Sequence, residues 1–86
     1  AQLVLYHSDF ITAAGLPGVE LNARGRLRLE KLSELMPMSM CPLVIEVNEQ
    51  DPTLNAARRA HVAALLQQAF AEFPDERVVI GRPVAR

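Results

Sequence analysis

Cysteine occurs once in the 86 residues, at Cys41, so no disulfide can close within the chain and a thiolate-based zinc site has too few ligands. Tryptophan is absent and aromatic residues make up only 5% of the chain, which leaves Leu, Val, Ile, Ala and Met to build a core. Excess charge is missing too. Nine basic residues face ten acidic ones for a formal net charge of −1, with no lysine-rich block and no basic stripe interleaved with aromatics. That balance argues against nucleic acid as a partner. The one basic run, Arg24, Arg26 and Arg28, reads as a solvated helix face. No apolar stretch approaches the roughly 20 residues of a membrane helix, so no membrane insertion by this segment is expected. No signal peptide reads in the chain.

What is present is a globular composition. Half the residues are apolar, and a chain of this length forms one small domain, here spanning residues 1–86. Such a domain buries roughly 60–65% of the surface that its unfolded chain exposes, enough for one two-layer core. Leu3 to Tyr6 (LVLY) reads as a strand. Residues 7–20 read as a loop with a turn at Pro17-Gly18, anchored to the core by Phe10, Ile11 and Leu16. A first helix is predicted over Ala23 to Met36, capped by Asn22, with Leu29, Leu32, Leu35 and Met36 on one buried face. Gly25 in its first turn implies close backbone packing, and Pro37 ends the helix.

Leu43 to Val47 (LVIEV) reads as the central strand, apolar until Glu46. Asp51-Pro52 opens a second helix that runs to about Glu72, with Leu54, Ala57, Val62, Leu65, Leu66, Ala69 and Phe70 at helical spacing. Phe73 packs past its end, Pro74-Asp75-Glu76 turns, and Arg77 to Ile80 forms a third strand. The order is β-α-β-α-β, and helices long enough to cross back over a sheet make the strands parallel. The fold class expected is α/β (α+β), a two-layer βαβαβ sandwich.

The corner between the second strand and second helix displays polar side chains on a rigid frame: Asn48, Glu49, Gln50, Asp51 and the doublet Arg58-Arg59. Other clusters read more plainly. Met36, Met38, Met40 and Cys41 are soft ligands that suit copper(I), which makes soft-metal binding at Met36–Cys41 a minor alternative function, but methionine also fills irregular gaps in a core, and no metal is assigned to them. His7 stands beside Ser8 and Asp9, an adjacency that does not make a catalytic triad. His61 reads as a core-edge residue of the second helix. Glu30, Lys31 and Glu34 are solvent-side charges. There is no G-x-S-x-G elbow, H-E-x-x-H pair or glycine-rich phosphate loop, and no enzyme activity is expected.

Three segments together resemble a known family. Leu21, Gly25, Leu29, Leu32, Ser33 and Met36 resemble the first-helix pattern of OmpA-like (outer-membrane protein A C-terminal) domains. VIEV followed by LNAARRAHVAALL is similar to that family's second strand and helix, with Leu54, Asn55, Arg58, Val62 and Leu66 on its positions. Arg77 to Gly81 looks like its third strand and glycine. The resemblance covers roughly Leu21 to Pro83. It implies a βαβαβ fold, non-covalent peptidoglycan binding without catalysis or cofactor, and a place in the periplasm or outer membrane of a Gram-negative-type cell envelope.

In that family an aspartate after the second strand, within a G-H-T-D type sequence, and the arginine of the following helix hold the carboxylate and ammonium of diaminopimelate. The chain departs from this pattern. Val47-Asn48-Glu49-Gln50 stands at the G-H-T-D position, and the segment to Leu54 is shorter. The resemblance therefore points to Arg58 as the carboxylate ligand, with Asp51 in place of the lost acid and Asn48, Gln50 and Arg59 beside them. The alternative is a structural or protein-interaction module that keeps the fold without peptidoglycan. Its partner would be an envelope protein or a second copy of the chain, a homo-oligomer paired at the exposed edge of Leu3–Tyr6 or Arg77–Ile80.

Overall fold

The structure is a computed structural model, and it describes residues 3–38 and 41–83. Three short strands, β1 (Leu3–Leu5), β4 (Leu43–Glu46) and β5 (Val78–Gly81), form a parallel sheet in the order β1-β4-β5. Helix α1 (Ala23–Leu35) lies on the path from β1 to β4, and α2 (Pro52–Ala69) links β4 to β5. Leu3, Leu43 and Val78 align across the sheet, as do Leu5, Ile45 and Ile80. These two rows share one face by the two-residue period of a strand. They join a single core with Leu29 and Met36 at α1 and its end, and with Val62, Ala63 and Leu66 of α2. β4 is the central strand, as its continuous apolar run predicts.

The segment 7–20 is not a loop. After a 3-10 turn at His7–Asp9, β2 (Phe10–Ala13) and β3 (Leu16–Leu21) pair as an antiparallel hairpin with an irregularity between Phe10 and Thr12. Its turn is Ala14-Gly15, both left-handed (φ 52° and 77°), the twist that a two-residue hairpin connection requires. Pro17-Gly18 lies inside β3. Proline is tolerated there because a two-stranded sheet consists of edges, and a residue on the outward side donates no ladder bond. Phe10 anchors the hairpin to the core, but Ile11 is exposed and Leu16 is 68% exposed, because alternate residues of the ribbon point away from it.

Asn22 fastens the start of α1. Its Oδ1 accepts from the Gly25 N–H at 2.8 Å, and its Nδ2 donates to the carbonyls of Ser8 (2.9 Å) and Phe10 (3.2 Å). One side chain thus caps the helix and holds it to the 7–10 turn. The close packing expected at Gly25 is present: a Cβ there would drive into the Asp9 carbonyl and come within 2.9 Å of Leu21 Cδ2. Leu29 and Met36 are buried and Leu32 packs against them, whereas Leu35 is 48% exposed, because at about 100° per residue it lies at the margin of that stripe, roughly 120° round the helix from Leu29. Nor is the arginine run wholly solvated. Arg28 pairs with the fully buried Asp9 (Nε to Oδ2, 3.2 Å) and lies 5.7 Å from the Tyr6 ring. Asp9 also accepts from the Tyr6 N–H at 2.8 Å, which closes the 3-10 turn.

Asp51 caps α2, its Oδ1 accepting from Leu54 N–H at 3.0 Å, with Pro52 at the first helical position. The helix ends at Ala69, earlier than its periodicity predicts; Phe70 is already extended, and Phe73 folds back into the core. Arg77 braces the far end of the sheet, donating to the carbonyls of Met36 (3.2 Å) and Cys41 (2.9 Å). No helix among the described residues is long and apolar enough to cross a membrane.

Candidate functional site

The turn between β4 and α2 is built to hold its shape. Asn48 Oδ1 accepts from Gln50 N–H at 3.0 Å, the local bond that asparagine supplies to a turn. Asn55, one helical turn along α2, reaches back with both ends of its amide. Its Oδ1 accepts from Asn48 N–H and its Nδ2 donates to the Asn48 carbonyl, each at 2.8 Å. Three bonds on one residue fix Asn48, and so the mouth of the helix, without a glycine.

Arg58 sits beneath this turn and is only 1% exposed. Its Nε donates to the Gly18 carbonyl of β3 at 2.8 Å, and its Nη1 lies 3.2 Å from His7 Nδ1. The guanidinium carbon stands 4.2 Å from the centre of the Phe10 ring, a cation–π contact. Among the described residues no carboxylate forms an ion pair with Arg58, and its Nη2 makes no hydrogen bond. Nη2 is not sealed in, since no buried polar side-chain atom there lacks a partner. Burial lowers the pKa of the guanidinium from its ordinary value, and the more distant charges of Asp51 and Glu46 oppose that shift. An arginine keeps its proton even so.

His7 completes the arrangement. With Nδ1 accepting from Arg58, the neutral imidazole carries its proton on Nε2, which faces Glu46 Oε1 at 3.9 Å. The same Glu46 oxygen accepts from the His7 backbone N–H at 2.9 Å.

Around Arg58 opens a cleft of about 320 Å³. Thr12 and Pro17 of the hairpin form one wall, Val47, Asn48, Glu49 and Gln50 the other, with His7 beside the arginine. A buried cation that has no acidic partner among the described residues and lines a cleft is suited to receive an anion. A larger hollow, about 460 Å³, runs along α1 beside Arg24, Leu27, Arg28 and Lys31. Its cations are exposed or, for Arg28, already paired, so it lacks that preorganised charge.

Of the residues singled out from sequence, Arg58, Asn48 and Gln50 come together in the cleft. Asp51 lies next to them but is engaged in the α2 cap. Arg59 points the other way, its Nε donating to Val78 O at 2.7 Å and its Nη2 to Asp75 O at 2.8 Å, so it ties α2 to β5. His7 belongs with Arg58, not with Ser8 and Asp9, and His61 Nε2 accepts from Leu21 N–H at 3.4 Å at the edge of the core. Met36 is a core residue and Cys41 is half-buried, while Met40 and the Met38 side chain lie outside what is described. Sequence reading missed Thr12, Pro17, Gly18 and Phe10, which reach the site only through the hairpin. A signal for Arg58 itself was available: Leu54, Arg58, Val62 and Leu66 recur every four residues, which puts a cation on the apolar stripe of α2.

No family model matches the chain, and no curated protein or solved structure matches it either.

Proposed function

We propose that this is a non-enzymatic domain of OmpA-like architecture that binds peptidoglycan in the cell envelope through a carboxylate held by Arg58. The observation that carries the proposal is the state of that arginine: buried, lining the cleft, without an acidic partner among the described residues, and with one terminal nitrogen that makes no hydrogen bond among them. A guanidinium offers paired donors that match a carboxylate, and the adjacent start of α2 adds partial positive charge. The order of the parallel strands and crossover helices supports the same reading. The domain is expected to co-sediment with purified sacculi at low salt and to be released as ionic strength rises; a domain that stays wholly in the supernatant overturns the proposal.

A second reading is supported by the sheet edges. β1 and β5 each pair on one side only among the described residues, and an unpaired edge is a template for another strand. On that reading the domain is an interaction module whose partner is an envelope protein or a second copy of the chain.

A further inference from the structure

We infer that the Arg58 cleft selects a carboxylate with no ammonium group beside it, such as the terminal carboxylate of a peptide, whose neighbouring nitrogen is a neutral amide. The inference rests on the reading of this cleft as a carboxylate site.

Among the described residues Glu49 is the one acid in the lining, and its Oε2 is joined to Arg82 in an exposed ion pair. Asp51 is outside the lining and spends Oδ1 on the Leu54 N–H. Moving it toward a ligand would uncap α2. Glu46 Oε1 accepts from the His7 N–H and faces the His7 ring, which keeps it behind the imidazole relative to Arg58. Asp9 is fully buried and satisfied by Tyr6 N–H and Arg28. Among the described residues the one carboxylate lining the cleft already faces a cation, Arg82, so none there is left unpaired for an ammonium.

The remaining groups favour an anion. Among the described residues Arg58 supplies the one lining charge without an opposite partner, and Thr12 and Gln50 bring side chains that can donate hydrogen bonds to oxygen. Asn48 has its Oδ1 taken by Gln50 N–H, so its Nδ2 donors are what it presents. An ammonium entering with the carboxylate would lose water, find no unpaired acid among the described lining residues and sit beside a buried guanidinium of the same sign. A zwitterionic head group is therefore a poorer ligand than the same molecule without its amines.

Pimelate and 2,6-diaminopimelate decide this, since they share a carbon chain and two carboxylates and differ in two ammonium groups. Titrated into the ¹⁵N-labelled domain, pimelate is expected to shift the Asn48 and Gln50 amides and the Arg58 Nε–H, and to bind at least tenfold more tightly than diaminopimelate. Equal or tighter binding of diaminopimelate overturns the inference while leaving the carboxylate site standing. Absence of pimelate binding overturns the carboxylate site and this selectivity together, and sedimentation with sacculi reports separately on peptidoglycan.

Discussion

Arg58→Met should abolish binding to sacculi and to pimelate while changing the stability of the domain by no more than about 1–2 kcal/mol. The opposing terms are of similar size. Methionine leaves the Gly18 carbonyl without the donor now 2.8 Å away, a loss of about 1–3 kcal/mol, and removes the contact with the Phe10 ring, worth roughly 0.5–2 kcal/mol. Against this, the parent buries a full charge with no ion-pairing carboxylate among the described residues. Exchanging a buried ion for an apolar side chain of similar volume recovers a desolvation penalty of several kcal/mol. Urea melts of parent and variant, run beside pelleting and titration, separate the two roles. A fall of more than about 3 kcal/mol would mark Arg58 as a structural strut, because breaking a buried charged contact costs that much when the residue is needed by the fold.

Gly25→Ala is the largest stability effect expected, a loss of about 3 kcal/mol and a fall in melting temperature of roughly 12–24 °C for a domain of this size. Helix propensity favours alanine by about 1 kcal/mol, so the sign of the effect tests the packing. The added methyl would meet the backbone at Asp9 and the Leu21 side chain, and a backbone carbonyl cannot swing aside as a flexible side chain can. The Asp9 carbonyl also accepts from Asn22 N–H at 3.0 Å, so relieving the clash means breaking the junction that places the 7–10 turn. Gly81→Ala is the control, since a Cβ there finds only Val44 Cγ1 at an ordinary 3.6 Å. Thermal melts that leave Gly25→Ala at the parent value would refute the account of this junction.

The elements that sequence shows clearly are those whose signals are local. Asn22 and Asp51 are caps in the structure because a short polar side chain before an apolar-periodic run has a nearby backbone N–H to satisfy. LVI of β4 is buried throughout, as a continuous apolar run predicts for a strand that lies between two others. The hairpin was hidden for an equally local reason. Its turn residues are Ala14-Gly15, outside the Asn-Gly and Asp-Gly pairs that mark such turns, while the conspicuous Pro17-Gly18 pair sits in a strand. Losing the hairpin from view hid most of the site. Arg58 could be read as a ligand, but its contacts with Gly18 and His7 span 40 and 51 positions of the chain, and no local rule reports on such distances. The Arg58-Arg59 doublet shows the same limit. Neighbours on a helix point about 100° apart, and only the packed fold distinguishes the arginine of the cleft from the one that ties α2 to β5.

Because the cleft draws its floor from Arg58, one wall from Thr12 and Pro17 and the other from Val47 to Gln50, an unfolded chain has nothing equivalent to offer. A compound that occupies it therefore acts on the folding equilibrium by mass action. At a hundredfold excess over its dissociation constant it adds about 2.7 kcal/mol to the native state. In a domain this small, that corresponds to a rise of roughly 10–20 °C in melting temperature. Heat then becomes a detector of occupancy, able to rank carboxylates, peptides and cell-wall fragments without a label or a known activity.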